Sequence, residues 1–162
     1  MKKPIVREIL TLVISIVICQ MAGFIGSLFT RASLSTWYTT LNKPSFNPPD
    51  AVFGPVWTAL YLLMGISLYI VWRRVSHGRE VKIALVLFAI QLILNTLWSF
   101  LFFGLRSPLA GFVDILLLWV AILFTLLLFF KLSRAAGILL LPYILWVSFA
   151  IVLNASIWLL NL

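Results

Sequence analysis

The sequence predicts an all-α fold: one polytopic membrane domain, a bundle of five transmembrane helices whose long first loop forms a lid. Three observations carry this. Of 162 residues, 64% are hydrophobic and 10% charged, and a soluble domain cannot hide that much apolar surface behind a largely polar exterior. The charges fall in clusters separated by neutral runs. Each run is long enough to cross a hydrocarbon core of about 30 Å as a helix, which takes about 20 residues.

The elements follow in order. Between Glu8 and Arg31 lie 22 uncharged residues, which predict span 1 at about 9–29. Its apolar run is too long for a cleaved signal peptide, so it is expected to be retained. The loop at about 30–52 holds Trp37, Tyr38, Lys43, Pro44, Phe46, Pro48 and Pro49. Prolines at that density oppose regular helix and stiffen the chain. A stiff apolar loop packs onto something, and the mouth of the bundle is the natural place. Asp50 is expected to cap span 2, at about 53–72. Span 3 follows at about 82–103. Ser107-Pro108 has the form of a cap followed by the first helical position for span 4, at about 109–130. Span 5, at about 136–159, contains Pro142. That proline either kinks the helix near Ile138 and opens a cavity, or is simply tolerated. The short loops 73–81, 104–108 and 131–135 predict that consecutive helices are antiparallel neighbours. The whole chain, 1–162, reads as a single domain.

The formal net charge is +8. No basic face with interleaved aromatics lies outside the spans, so nucleic acid is not an expected partner. The cations sort by loop instead. Lys2, Lys3, Arg7, Arg73, Arg74, Arg79, Lys82, Lys131 and Arg134 lie on one side; Arg31, Lys43 and Arg106 lie on the other. Nine against three is a positive-inside bias, which predicts a cytoplasmic N-terminus. Cys19, inside span 1, is the only cysteine, and His77, in a polar loop, the only histidine. That leaves no ligand set for zinc or haem iron, and no metal is expected. Phosphate-cradling glycine loops, Ser-His-Asp sets and paired carboxylates are also absent from the sequence, so a hydrolase or ATPase has no residues to use.

Helical spacing then gathers the polar and aromatic residues. Gln91, Asn95, Trp98 and Phe102 share one face of span 3; Tyr143, Trp146, Ala150 and Asn154 share one of span 5. Span 2 adds Trp57 and Tyr61. An amide in lipid needs a partner, so these residues are expected to point into the bundle. Flat apolar walls with a few hydrogen-bonding groups suit a large planar hydrophobic ligand. The alternative is packing glue between helices. Trp72 and Trp158 read as belt residues at headgroup depth, and Trp119 as facing lipid or another subunit. Asp114, the one acid well inside a span, is expected to reach the interface or pair with Arg106; a structural role is favoured over the alternative, a proton relay, because no second buried carboxylate or histidine continues one. Gly23, Gly26 and Ala110-Gly111 offer small faces for contact within the bundle or at a dimer seam.

The combination Trp37-Tyr38-x-x-Leu41-x-Lys43-Pro44-Ser45-x-x-Pro48-Pro49, Gly54-Pro55-Val56-Trp57-x-x-Leu60-Tyr61 and Asn95-x-x-Trp98-Ser99-x-x-Phe102-Phe103-Gly104 is specific. Arg106, Val113-Asp114 and Leu141-Pro142-Tyr143-x-x-Trp146-x-x-Phe149-Ala150-x-x-Leu153-Asn154 extend it. With these segments the chain resembles the tryptophan-rich sensory protein / translocator protein family, the former peripheral benzodiazepine receptors. The resemblance implies a five-helix bundle, usually a homodimer in the lipid bilayer, whose first loop closes a pocket for porphyrins such as protoporphyrin IX. It implies a sensing role with no required cofactor. Two other roles stay open: light-dependent porphyrin degradation, and transport of tetrapyrroles or other hydrophobic ligands. Against transport, the sequence lacks inverted repeats and broken-helix pairs. By resemblance, Trp57 and Trp146 match tryptophans linked to porphyrin binding and photochemistry. Tyr38, Pro48, Phe53, Asn95, Trp98, Ala150 and Leu153 match the pocket lining. The cholesterol-recognition tyrosine and arginine of animal members are replaced by Ala155 and Leu159. With the charge bias, this implies a prokaryotic plasma-membrane protein.

Overall fold

The structure, a computed structural model, describes residues 5–74 and 78–162. His77, read as a loop residue, and Lys2 and Lys3 of the charge tally lie outside the described residues. The elements are α1 (Ile5–Leu34), a helical turn α2 (Trp37–Thr40), α3 (Asp50–Trp72), α4 (Arg79–Ser99), α5 (Pro108–Leu132) and α6 (Arg134–Leu160). A π-helical turn, Phe100–Gly104, prolongs α4. Among the described residues five helices are long and apolar enough to cross a membrane. The helices overrun the predicted spans at most ends, because an unbroken helix continues into headgroup depth until a breaker stops it.

The bundle is built inside out. α1 is apolar on every face, yet its buried positions are the small ones: Ser15, Cys19, Ala22, Gly26 and Ser33. Its large side chains, among them Ile9, Val13, Val17 and Leu28, are exposed. Lipid is as apolar as leucine, so helices associate through close packing and hydrogen bonds rather than by hiding bulk. Gly23 lies against the Tyr61 ring, Gly26 against Ser99 and Gly111 against Phe102. These small faces therefore serve contact within the bundle.

The helices form a ring in the order α1, α3, α6, α5, α4 and back to α1. This corrects one expectation. α3 and α4 are consecutive but share few contacts, because α1 packs between them. The expected loop at 30–52 is also shorter. α1 runs on to Leu34 and α2 fills part of the remainder, ahead of Pro44.

Asp50 is not a cap: Pro49 occupies the N-cap and Asp50 starts the first turn without a capping hydrogen bond. Pro49 has no N–H to lose and its fixed φ suits the approach to the helix. The Ser107-Pro108 start is observed as expected, with Ser107 Oγ accepting from the Ala110 N–H at 3.2 Å. α6 continues through Pro142. Trp119 is half-buried and bonds within the bundle: its Nε1 donates to Ser148 Oγ on α6 at 2.8 Å. Asp114 does not reach Arg106. It is buried on the inward face of α5, with Oδ2 lacking a hydrogen-bond partner among the described residues. Its position one turn after Gly111 fixes it on that face.

At the end away from the lid, Glu8 accepts from Tyr69 at 2.6 Å and pairs with Arg73 at 3.5 Å. Glu80 pairs with Lys131 at 2.7 Å.

Gly65 lets α3 lie close against the α1 backbone: a Cβ there would lie 2.6 Å from Ile16 Cα. Gly65→Ala is expected to force α1 and α3 apart and cost about 1–3 kcal/mol, the usual range for overpacking. Gly54→Ala, whose Cβ meets nothing within 4 Å, is expected to leave stability unchanged or slightly higher. Thermal unfolding of the two variants in detergent checks the contrast.

Candidate functional site

Buried polar groups from three helices make the base of the site. Tyr61 OH donates to Asn95 Oδ1. Asn95 Nδ2 donates to Tyr143 OH at 2.8 Å, and Tyr143 OH donates to Gln91 Oε1 at 2.8 Å. α3, α4 and α6 are thus locked by one chain of bonds. A second link ties α4, α6 and the start of α5. Trp98 Nε1 donates to Asn154 Oδ1 at 3.0 Å, and Asn154 Nδ2 donates to the Pro108 carbonyl at 2.8 Å. Each amide thereby has its orientation dictated. With no water in a bilayer core, the unmade bond is the expensive alternative.

Aromatic rings stand on this base. Trp57 stacks on Tyr61 at 5.6 Å and meets Tyr143 edge-on at 6.3 Å. Trp98 stacks on Phe102 at 5.2 Å. Trp146 meets Phe53 edge-on at 6.0 Å. Offset and edge-to-face geometry is what aromatic quadrupoles prefer. Between these rings lies a cavity of about 500 Å³, within the usual size range of small-molecule sites. α1, α3, α4, α6 and the lid all contribute to its wall.

The lid closes one end. Tyr38 is buried in an apolar cluster with Phe102, Phe103, Leu153 and Ile157. Its hydroxyl donates to Asn47 Oδ1 at 3.1 Å, and Lys43 Nζ sits 4.1 Å above its ring. Burial, reinforced by the Asp50 charge and partly offset by Asn47, pushes the Tyr38 phenol up to about 12. It therefore stays a neutral donor at physiological pH. Asn42 and Asn161 pin the lid to the end of α6: the Asn42 N–H donates to Asn161 Oδ1, and Asn161 Nδ2 to the Asn42 carbonyl, each at 2.9 Å.

The structure brings together Tyr38, Phe53, Trp57, Asn95, Trp98, Trp146, Ala150 and Leu153 around this cavity. Pro48 stays outside the lining. Its carbonyl accepts from Asn47 Nδ2 at 3.0 Å, so it shapes the lid rather than the wall. Sequence reasoning missed the contribution of α1, where Gln20, Gly23, Phe24, Ser27, Arg31 and Leu34 form one wall. Their spacing of three and four is a helical face, but α1 is apolar on all sides and the face does not stand out. The π-helical turn was missed too. Leu105 N–H bonds the Phe100 carbonyl at 2.8 Å, a step of five residues. This register places Phe102 between Trp98 and the lid's Trp37, at 5.2 and 5.7 Å. Such turns recur at functional sites. Among the described residues no cluster of histidine, cysteine or carboxylate suits a metal.

A sequence profile of the TspO/MBR family matches residues 15–159. The chain belongs to the TspO/MBR family. It is 52% identical over 155 residues to the tryptophan-rich protein TspO of Chlorobaculum tepidum, covering 96% of this chain and 98% of that one. It is 48% identical to the tryptophan-rich protein TspO of Archaeoglobus fulgidus, over 95% of this chain and 99% of that one. The translocator protein of Homo sapiens is 39% identical over 136 residues, covering 83% and 80%. TspO/MBR membership and five apolar helices make this an integral, multi-pass membrane protein.

Asn95 is the junction of the base, serving Tyr61 and Tyr143 together. Asn95→Leu is expected to leave both phenols short of a partner and to cost about 1–3 kcal/mol. Thermal unfolding, with tryptophan emission reporting the Trp57 environment, checks it. Unchanged stability and emission would mean that the network does not hold the base together.

Proposed function

We propose that this protein is a membrane sensor that binds planar tetrapyrroles of the protoporphyrin type beneath its first loop. The observation that carries the reading is the cavity: indole and phenyl walls from four helices and the lid, over a base of fixed amides and phenols. Flat rings of the wall match a flat apolar ligand, and the few polar groups orient it. Binding on this reading needs no metal or other cofactor. The relatives' names, tryptophan-rich sensory protein and translocator protein, support a sensing or translocating role. The excess of cations at the end away from the lid supports a cytoplasmic N-terminus in a prokaryotic plasma membrane, with the lid outside. A homodimer accords with the broad exposed apolar surface of the helices.

A second reading, light-dependent degradation of the bound ligand, is favoured by one observation: Trp57 and Trp146 both face the cavity, within reach of any excited pigment held there. Transport is the third reading.

Tryptophan-fluorescence titration with protoporphyrin IX, in darkness and then in light, tests all of this. Saturable quenching in the dark is expected, and its absence overturns the proposal. Ala150→Thr is expected to weaken binding about tenfold through overpacking, with little change in unfolding temperature. Unaltered affinity would move the ligand elsewhere. Trp57→Phe and Trp146→Phe are expected to abolish photobleaching while keeping dark binding. Loss of neither removes the indoles from any photochemistry. Flux in sealed proteoliposomes above the passive rate would support transport.

A further inference from the structure

The cavity is not sealed on every side. In the half away from the lid, α1 and α3 are in close contact. Ile16 lies against Gly65, and Gln20 Nε2 donates to the Thr58 carbonyl at 3.1 Å. Toward the lid the facing residues of both helices border the cavity: Phe24, Ser27 and Arg31 of α1, and Asp50, Phe53 and Gly54 of α3. Phe24 is 54% exposed, and a methyl group at Gly54 would meet nothing within 4 Å. The gap is a slot in the side of the bundle. The Gln20–Thr58 hydrogen bond marks its limit away from the lid.

The upper end of the slot is charged. The antiparallel register set by Ile16 opposite Gly65 and Gln20 opposite Thr58 brings Arg31 level with Asp50. No ion pair joins them, and Arg31 has no hydrogen-bond or ion-pair partner among the described residues. A guanidinium is weakly hydrated and presents a planar fork that fits a carboxylate with two parallel bonds. At headgroup depth, beside a low-dielectric interior, it attracts an anion more strongly than it would in open water.

We infer that ligands enter sideways through the α1–α3 slot and that Arg31 selects those whose flat apolar body carries a carboxylate at its edge. The ring system slides between the indoles while the acid stays at the mouth, held by Arg31. Asp50 on the facing lip repels carboxylates, so the acidic edge is favoured on the Arg31 side of the mouth. The inference rests on the planar-ligand reading above and adds the entry path and the acidic edge.

Two probes separate the contributions: protoporphyrin IX, a dicarboxylic acid, and its dimethyl ester, which keeps the ring and loses the charge. Binding and association rates are measured by stopped-flow tryptophan quenching in nanodiscs, for wild type, Arg31→Gln, Arg31→Lys and Gly54→Phe. Arg31→Gln is expected to weaken the acid about tenfold and leave the ester unchanged, as loss of a charge-assisted pair would. Arg31→Lys is expected to fall between. Gly54→Phe, filling empty space at the lip, is expected to slow association of both probes several-fold with a smaller change in Kd. Equal effects of Arg31→Gln on acid and ester, or no effect on either, overturn the selector role. Unchanged association in Gly54→Phe overturns lateral entry. Wild-type protein that binds neither probe overturns the tetrapyrrole reading itself, and this inference with it. Wild type that binds both, with Arg31→Gln unaltered, overturns this inference alone.

Discussion

A polar group inside a bilayer must find its partner within the protein, because no water is there to take its place. That constraint organises this molecule. Tyr61, Asn95, Tyr143 and Gln91 satisfy one another across three helices, and Asn154 serves Trp98 and the start of α5. Once those bonds form, the helices cannot rotate about their axes without breaking them. The indoles of Trp57 and Trp98 are then held in place, since each stacks on or bonds to a member of the set.

Apolar packing completes what the hydrogen bonds begin. Glycines at 23, 65 and 111 let backbones and rings approach closely, which is how helices gain contact when lipid offers no hydrophobic incentive to associate. Close contact at Gly65 holds one half of the α1–α3 pair, while residues of its other half line the cavity. The lid does not float above that space. Tyr38 is driven into the Phe102–Phe103 cluster, and the Asn42–Asn161 pair ties its far end to α6. A proline-stiffened segment loses less entropy on docking than a flexible one.

Two buried groups stand outside this economy: Gln91 Nε2 and Asp114 Oδ2 have no partner among the described residues. Neither lines the cavity. Asp114 sits among apolar neighbours of α5 such as Ile115 and Leu118. The chain carries no second acid or histidine near it along α5 with which to build a relay.

The sequence by itself determined the class of molecule, the number of membrane helices and most of the wall. Those follow from signals that are local in the chain: uncharged runs, and amides recurring with tryptophans at helical spacing. Asn95 with Trp98, and Tyr143 with Trp146, were legible because a single helix face carries both. Only the tertiary structure decided what depends on how separate helices meet. α1 displaces α4 from the side of α3, so its lining residues could not be seen from a helix apolar all round. The π-helical turn re-aims Phe102 through one altered hydrogen-bond step that no residue type announces. Asp50 lost its capping role to Pro49, and Pro48 turned away from the wall, because loop geometry is set by what the loop docks against. Arg31 reads in the chain as the charge that ends a span; only the packing of α1 into the bundle puts it in the wall of a cavity.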